Sequence, residues 1–161
     1  GHREKNGNSI KCHSYHIDLR LSSYGLQAIK YKIYLVRIQE PQTVLSTDDL
    51  LEKFLSISAF DSTYDFHSPR NYENFPDFKI VAQKNVTIPA DSLENVVGTK
   101  TITMGGRLNF HQRTKENPGP HTVYDTNELA MIIVADRGTV LGEAPTPTGV
   151  GMKGTLYFYD N

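Results

Sequence analysis

The sequence has little cysteine, no tryptophan and no long apolar run. Its one cysteine, Cys12, excludes an internal disulfide framework and fits a reducing compartment. No stretch approaches the roughly 18 consecutive apolar residues that a membrane-spanning helix needs. The first residues, GHREKNGN, contain no hydrophobic signal region. These absences predict a soluble chain with no membrane segment, and they give no indication of secretion.

Charge of neither sign is in excess. The 161 residues include 17 Lys and Arg and 18 Asp and Glu, which gives a formal net charge of -1 at pH 7. Such a chain has no bulk electrostatic attraction to nucleic acid or to an acidic membrane, so the binding of a polyanion requires a local basic patch. The length is that of one domain with a substantial core, and we expect residues 1–161 to form it.

The sequence is rich in β-strand patterns. Segments with alternating or β-branched apolar residues follow one another, separated by clusters of Gly, Pro, Asn and Asp, without an internal repeat. About eight strands in a chain of this length are typical of a two-sheet sandwich. We therefore predict an all-β fold with strands at 9–21, 28–38, 77–88, 98–104, 106–113, 121–125, 129–136 and 154–159.

Side-chain alternation predicts which strand faces are buried. In the first strand the apolar residues from Tyr15 to Leu21 share one face, and parity places Lys11 and Arg20 on different faces. The strand at 28–38 begins half-exposed and ends covered on both faces. We expect the last strand to lie inside a sheet. Its side chains on the face away from the core are Tyr157 and Tyr159.

One segment has helical spacing. STDDLLEKFL, at 46–55, predicts a short helix in the connection between two strands. An aromatic loop at 60–76 follows it, and a second long connection at 136–152 is rich in Gly and Pro. Loops of this length are usually functional or form interaction surfaces, so we expect both to make contacts between copies of the chain.

Residues for catalysis or metal binding are present but not in working arrangements. Cys12, His13 and His16 are close in sequence, but a strand separates the first and third by roughly 13 Å and turns His13 to the other face. No G-x-S-x-G nucleophile motif, phosphate-binding loop or dinucleotide fingerprint occurs. The sequence therefore predicts a protein that is not an enzyme and has no metal site or cofactor.

Basic residues are concentrated in the first fifth of the chain, where only Glu4 and Asp18 oppose them. A solvated sheet face explains this concentration, and a face that contacts phosphates is the alternative. The candidate nucleic-acid-binding residues are Arg3, Lys5, Lys11, Arg20, Lys30 and Lys32.

Five segments, in order and over nearly the whole chain, carry a family resemblance. They are HREKNGNSIK with Arg3, Gly7 and Ile10, YLVRIQEPQ with the helix DDLLEKFL, FKIVAQKNVTI, NELAMIIVAD, and the aromatic and Asp ending YFYDN. In combination they resemble the coat proteins of small circular single-stranded DNA viruses, the geminiviruses and their relatives.

The resemblance implies an eight-stranded antiparallel jelly roll with one short helix in a connection. It also implies a homo-oligomer, an icosahedral shell of the T=1 type around a single-stranded DNA genome, in a virion assembled in the host nucleus. The strongly basic N-terminal arm of the family and most of its first strand have no counterpart in this sequence. The six basic residues are therefore the available candidates for contact with the genome.

Other interpretations remain open from the sequence alone. A small RNA virus or a satellite virus uses the same jelly roll for its coat, because a fold does not determine the genome type. A carbohydrate-binding module would use the aromatic loop TYDFHSPRNYENF, although such sites usually include Trp, which is absent here. A cupin-like enzyme would need a cluster of metal ligands that the sequence lacks.

Overall fold

The computed structural model describes residues 9–24, 28–39, 47–57, 64–71, 73, 77–89, 97–114, 124–136 and 148–160. Within these ranges lie seven strands and one α-helix. They are β1 (Ser9–Tyr24), β2 (Ile29–Ile38), α1 (Thr47–Phe54), β3 (Phe78–Ile88), β4 (Val97–Thr114), β5 (Tyr124–Thr126), β6 (Glu128–Asp136) and β7 (Thr148–Asp160).

The strands form two antiparallel sheets. Sheet 1 has the order β5-β4-β1-β7, and sheet 2 has the order β3-β2-β6. This arrangement confirms the predicted all-β class with one short helix in a connection. Among the described residues β7 pairs only with β1, so the expected position of the last strand inside a sheet, with a neighbour on each side, is met on one side only within these ranges.

The main core lies between the two sheets. Leu19 and Leu21 of β1 face Ile29 and Ile33 of β2, and all four side chains are fully buried. Burial of such a side chain stabilises the fold by about 1.5–3 kcal/mol. The predicted inward face of β1 from Tyr15 to Leu21 is therefore confirmed.

The second face of sheet 2 is covered by α1. Phe54 of the helix is fully buried, with its ring centroid 5.1 Å from that of Tyr34 and 5.9 Å from that of Phe78. Along β2 the side chains change from alternating burial to burial on both faces, because the helix lies over only the second half of the strand. The predicted helix and the predicted change along 28–38 are both confirmed.

The segment at 64–71 packs on the same layer. The guanidinium group of Arg70 lies 4.7 Å from the centroid of the Phe54 ring and donates a hydrogen bond to the carbonyl of Phe78 at 3.2 Å. A turn precedes it, in which Asp65 is buried and accepts a hydrogen bond from the amide of His67 at 2.8 Å. This part of the aromatic loop therefore covers its own sheet, a use that its composition did not indicate.

Two predicted strands are one. We predicted a break between 98–104 and 106–113, but β4 continues through Gly105 and Gly106. Gly106 faces the core beside the ring of Tyr15, and a Cβ built on it would lie 3.1 Å from that ring. The glycine makes room for an aromatic side chain instead of forming a turn.

The predicted connection at 136–152 is shorter than expected. Strand β7 begins at Thr148, so the end of that connection is strand, and residues 137–147 lie outside the described ranges.

The pairing of β1 shifts by one residue between Cys12 and Ser14, against both β4 and β7. Because of this shift, Cys12 is buried in the core with Tyr15, although the two residues differ in parity. The prediction that Lys11 and Arg20 lie on different faces is therefore wrong, since both are exposed on the outer face of sheet 1. Cys12 and His16, predicted to share a face, lie on opposite ones.

One residue allows the chain to cross from sheet 1 to sheet 2. Asn127 lies between β5 and β6 with φ of 56°, in the left-handed region that Asn tolerates better than most residues. Its amide donates to the carbonyl of Gln39 at 3.0 Å, and its side chain donates to the carbonyl of His111 at 2.7 Å. The corner is thereby tied to β4 of sheet 1 and to the residue that follows β2 of sheet 2.

Candidate nucleic-acid interface

The six predicted basic residues do not form one surface. Lys11 and Arg20 are exposed on the outer face of sheet 1, whereas Lys30 and Lys32 lie on the outer face of sheet 2. The two faces are on opposite sides of the sandwich. Lys32 is half-buried, with its Nζ 4.5 Å from the centroid of the Phe66 ring. Arg3 and Lys5 lie outside the described residues.

Three further cations, which were not identified from the sequence, lie on the outer face of sheet 1. Arg107 of β4 is the register partner of Ser14, and Lys153 of β7 is the register partner of Asp18. Arg113, near the end of β4, is also exposed. These residues are far from β1 in sequence and reach it only through strand pairing. Alternation within the predicted strand at 106–113 was the available signal, because it places Arg107 and Arg113 on one face.

Aromatic side chains lie among these cations. Tyr159 is the register partner of Lys11, and its ring centroid is 5.2 Å from that of His13. Ser14 of β1 has two register partners, Arg107 on β4 and Tyr157 on β7, so these two residues lie on either side of it. Tyr157 is 54% exposed and Tyr159 is 58% exposed. As predicted, both rings point away from the core.

The face has little negative charge. Among the described side chains of this face, Asp18 is the only carboxylate. It lies 3.2 Å from Nε2 of His16 and accepts a hydrogen bond from the Thr103 hydroxyl at 2.9 Å. The part of the face nearer the start of β1 therefore has no described carboxylate. We call this part the basic half-face, and its residues are Lys11, His13, Arg107, His111, Arg113, Tyr157 and Tyr159.

A separate apolar opening lies between the edges of the two sheets. On the core side of β7, Val150, Met152 and Phe158 are 50%, 60% and 54% exposed. Beside them is a cavity of about 310 Å³ that extends to β6, with Leu35 and Met131 among its lining residues. Within the ranges given above, neither β7 nor β6 has a strand on its outer side.

Other chemistry is scarce in the described part of the chain. No group of three or more His, Cys, Asp or Glu residues there could hold a metal ion. Burial raises the pKa of the Cys12 thiol, which lowers the fraction of reactive thiolate. None of the described helices is long and apolar enough to cross a membrane.

Comparison of the chain with protein-family models and with curated protein sequences finds no match.

Proposed function

We propose that this chain is the coat-protein subunit of an icosahedral shell that encloses a single-stranded DNA genome, and that its sandwich is part of a jelly roll. The observation that carries the proposal is the strand order of the two sheets. Assembly in the host nucleus and residence in the virion follow from the same proposal.

The order of the strands fits six of the eight strands of a jelly roll. In that fold the third strand lies between the eighth and the sixth in one sheet, and the fourth lies between the seventh and the fifth in the other. The order β7-β1-β4 in sheet 1 and β6-β2-β3 in sheet 2 has the same pattern. The first two strands of a jelly roll pair beside the eighth and the seventh, which correspond to β7 and β6.

The side chains at those two edges support this assignment. Val150, Met152 and Phe158 expose apolar surface on the core side of β7, at the edge where the first strand would pair. The cavity between β7 and β6 would be closed by the same two strands. Such exposure of large apolar side chains along an unpaired edge is unusual for a free monomer. Those strands would come from outside the described residues.

The charge distribution suits a coat that holds a polyanion. The chain as a whole is nearly neutral, so copies pack side by side without strong mutual repulsion. Five of its described cations lie on the outer face of sheet 1, namely Lys11 and Arg20 of the predicted set with Arg107, Arg113 and Lys153. Lys30 and Lys32 are on the opposite side of the sandwich, so they do not belong to the same surface.

Electron microscopy of the purified full-length gene product tests the proposal. We expect uniform closed particles, and nucleic acid extracted from them should be degraded by deoxyribonuclease and by single-strand-specific nuclease. Particles that contain only RNA would support the RNA-virus or satellite alternative. A monomer at all concentrations in assembly buffer would contradict the coat function.

A further inference from the structure

We infer that the basic half-face binds single-stranded nucleic acid by combining phosphate contacts with the stacking of bases on Tyr157 and Tyr159. The inference specifies the site and the mode of binding within the proposed coat function, and it rests on that function only for the source of the ligand. It differs from the sequence-based set, which included no aromatic residue and placed Lys30 and Lys32 in the site.

Basic side chains on β4 and β1 lie beside tyrosine rings on β7 across this surface. In one row, His111, Lys11 and Tyr159 are register partners on β4, β1 and β7. In the next, Arg107 and Tyr157 flank Ser14 from opposite sides. Direct register partners have Cβ atoms about 4.5–5.5 Å apart, so a phosphate at Lys11 lies within one nucleotide of a ring. Basic grooves with exposed aromatic rings are the usual construction of sites for single strands.

The spacing of the two rings favours an unstacked strand. Tyr157 and Tyr159 are two residues apart on one face of β7, which corresponds to about 7 Å along the strand. Successive bases in a duplex strand are about 3.4 Å apart and are already stacked on each other. Each ring therefore accepts its own base only when the nucleic acid is single-stranded and extended. Aromatic side chains on an exposed sheet face bind RNA bases in the same manner in other sheet-based modules.

The local charge favours phosphate. No described carboxylate lies within the basic half-face, and Asp18, in the other half, is engaged with His16 and Thr103. Lys11 and Arg107 are exposed, so both can contact the phosphates of a bound strand without any rearrangement of the core. Phosphate contacts of this kind carry no base information, so we expect little sequence preference.

Fluorescence anisotropy with a 20-nucleotide oligothymidylate at 50 mM salt tests the charge component. The double variant Lys11→Glu with Arg107→Glu should bind at least about 10-fold more weakly, and its slope of log affinity against log salt should fall by about 1.4, since each neutralised phosphate contributes roughly 0.7 on a single strand. The matched control is Lys30→Glu with Lys100→Glu, which makes the same change in net charge at exposed lysines outside the site. We expect a change of about twofold or less. Equal losses in the two double variants would overturn the inference.

The stacking component is tested with Tyr157→Ala and Tyr159→Ala. Each should weaken binding on the order of 5-fold or more with an unchanged salt slope, while Tyr157→Phe and Tyr159→Phe retain affinity because they keep the ring. Heparin, a polyanion without bases, should bind the alanine variants as it binds the parent protein. Unchanged oligothymidylate affinity in both alanine variants would refute stacking, and so would equal affinity for duplex and single strand.

Circular dichroism of each variant establishes that it is folded, and the single variant Lys11→Glu replaces the double variant if that one unfolds.

Particle formation by the same proteins distinguishes failure of this site from failure of the coat function. Normal particles with no effect of any variant on binding would refute this site and leave the coat function standing. Loss of binding as predicted, in a protein that never forms particles, would refute the coat function and leave the site standing.

Discussion

The side chain of Gln112 donates a hydrogen bond from Nε2 to the backbone carbonyl of Asn127 at 2.9 Å. Gln112 belongs to β4 in sheet 1, and only 4% of its surface is exposed. Asn127 stands immediately before β6 in sheet 2. This bond therefore holds the corner between the sheets, together with the bond from the Asn127 side chain to the carbonyl of His111.

Replacement of Asn127 tests how much the corner depends on its left-handed backbone. Asn127→Ala should lower the free energy of unfolding by about 1–3 kcal/mol, because it loses one hydrogen bond and a residue that tolerates positive φ. Asn127→Gly should cost less, because it loses only the hydrogen bond. Urea denaturation measures both. A glycine variant less stable than the alanine variant would contradict this account.

Gly106→Ala tests whether the glycine pair in β4 serves packing. The new methyl group would lie 3.1 Å from the Tyr15 ring, so we expect a loss of about 1–3 kcal/mol from overpacking. Gly105→Ala is the matched control, because its Cβ would point outward and approach nothing closer than 3.4 Å. Thermal unfolding of the two variants should show a clearly lower midpoint for Gly106→Ala only.

The layer over sheet 2 should depend on Phe54. Phe54→Ala removes a fully buried ring that contacts Tyr34, Phe78 and Arg70, and we expect a loss of about 3–5 kcal/mol. Glu52→Ala, on the exposed side of the same helix, should change stability by no more than about 0.5 kcal/mol. Denaturant unfolding with tyrosine fluorescence provides the measurement. Equal effects of the two substitutions would show that the helix is not anchored through Phe54.

Glu128 gives a prediction for pH dependence. Burial raises the pKa of its carboxyl group above the ordinary value of 4.5, so the folded state holds the proton more tightly than the unfolded state. Its contribution to stability is therefore present below pH 4.5 and is lost as pH rises through the folded pKa. Glu128→Gln should raise the free energy of unfolding at pH 7 relative to the parent protein and change it little at pH 4. A larger gain in the free energy of unfolding at pH 4 than at pH 7 would contradict burial as the cause of the raised pKa.

The local parts of the fold could be predicted from sequence, and the non-local parts could not. The helix containing Phe54 and the burial change along β2 follow from periodicity within one segment. The continuity of β4 depends on Tyr15, a residue distant in sequence that fills the space at Gly106. From the sequence alone, where the contact with Tyr15 cannot be seen, a glycine pair indicates a turn.

The candidate site shows the same limit. Lys11 and Arg20 were identified because they lie in a basic part of the sequence, but their common face results from a register shift against two partner strands. Arg107 and Tyr159 join Lys11 only through the pairing of β1 with β4 and β7. Composition along the chain has no information about such neighbours, which is why Lys30 and Lys32 were included and the tyrosines were not.

The layer formed by α1 and residues 64–71 should also affect the rate of folding. Ile38 and Phe78 are register partners at the end of the β2–β3 ladder, although residues 39–77 lie between them, where a hairpin needs about two. Closing so long a connection has an entropic cost that grows with the logarithm of its length. Phe54 lies within the connection and packs on Tyr34 and Phe78, so docking of the helix divides one long closure into two shorter ones. We therefore expect the helix to act as an intermediate anchor for strand pairing, so that Phe54→Ala slows folding more than it speeds unfolding.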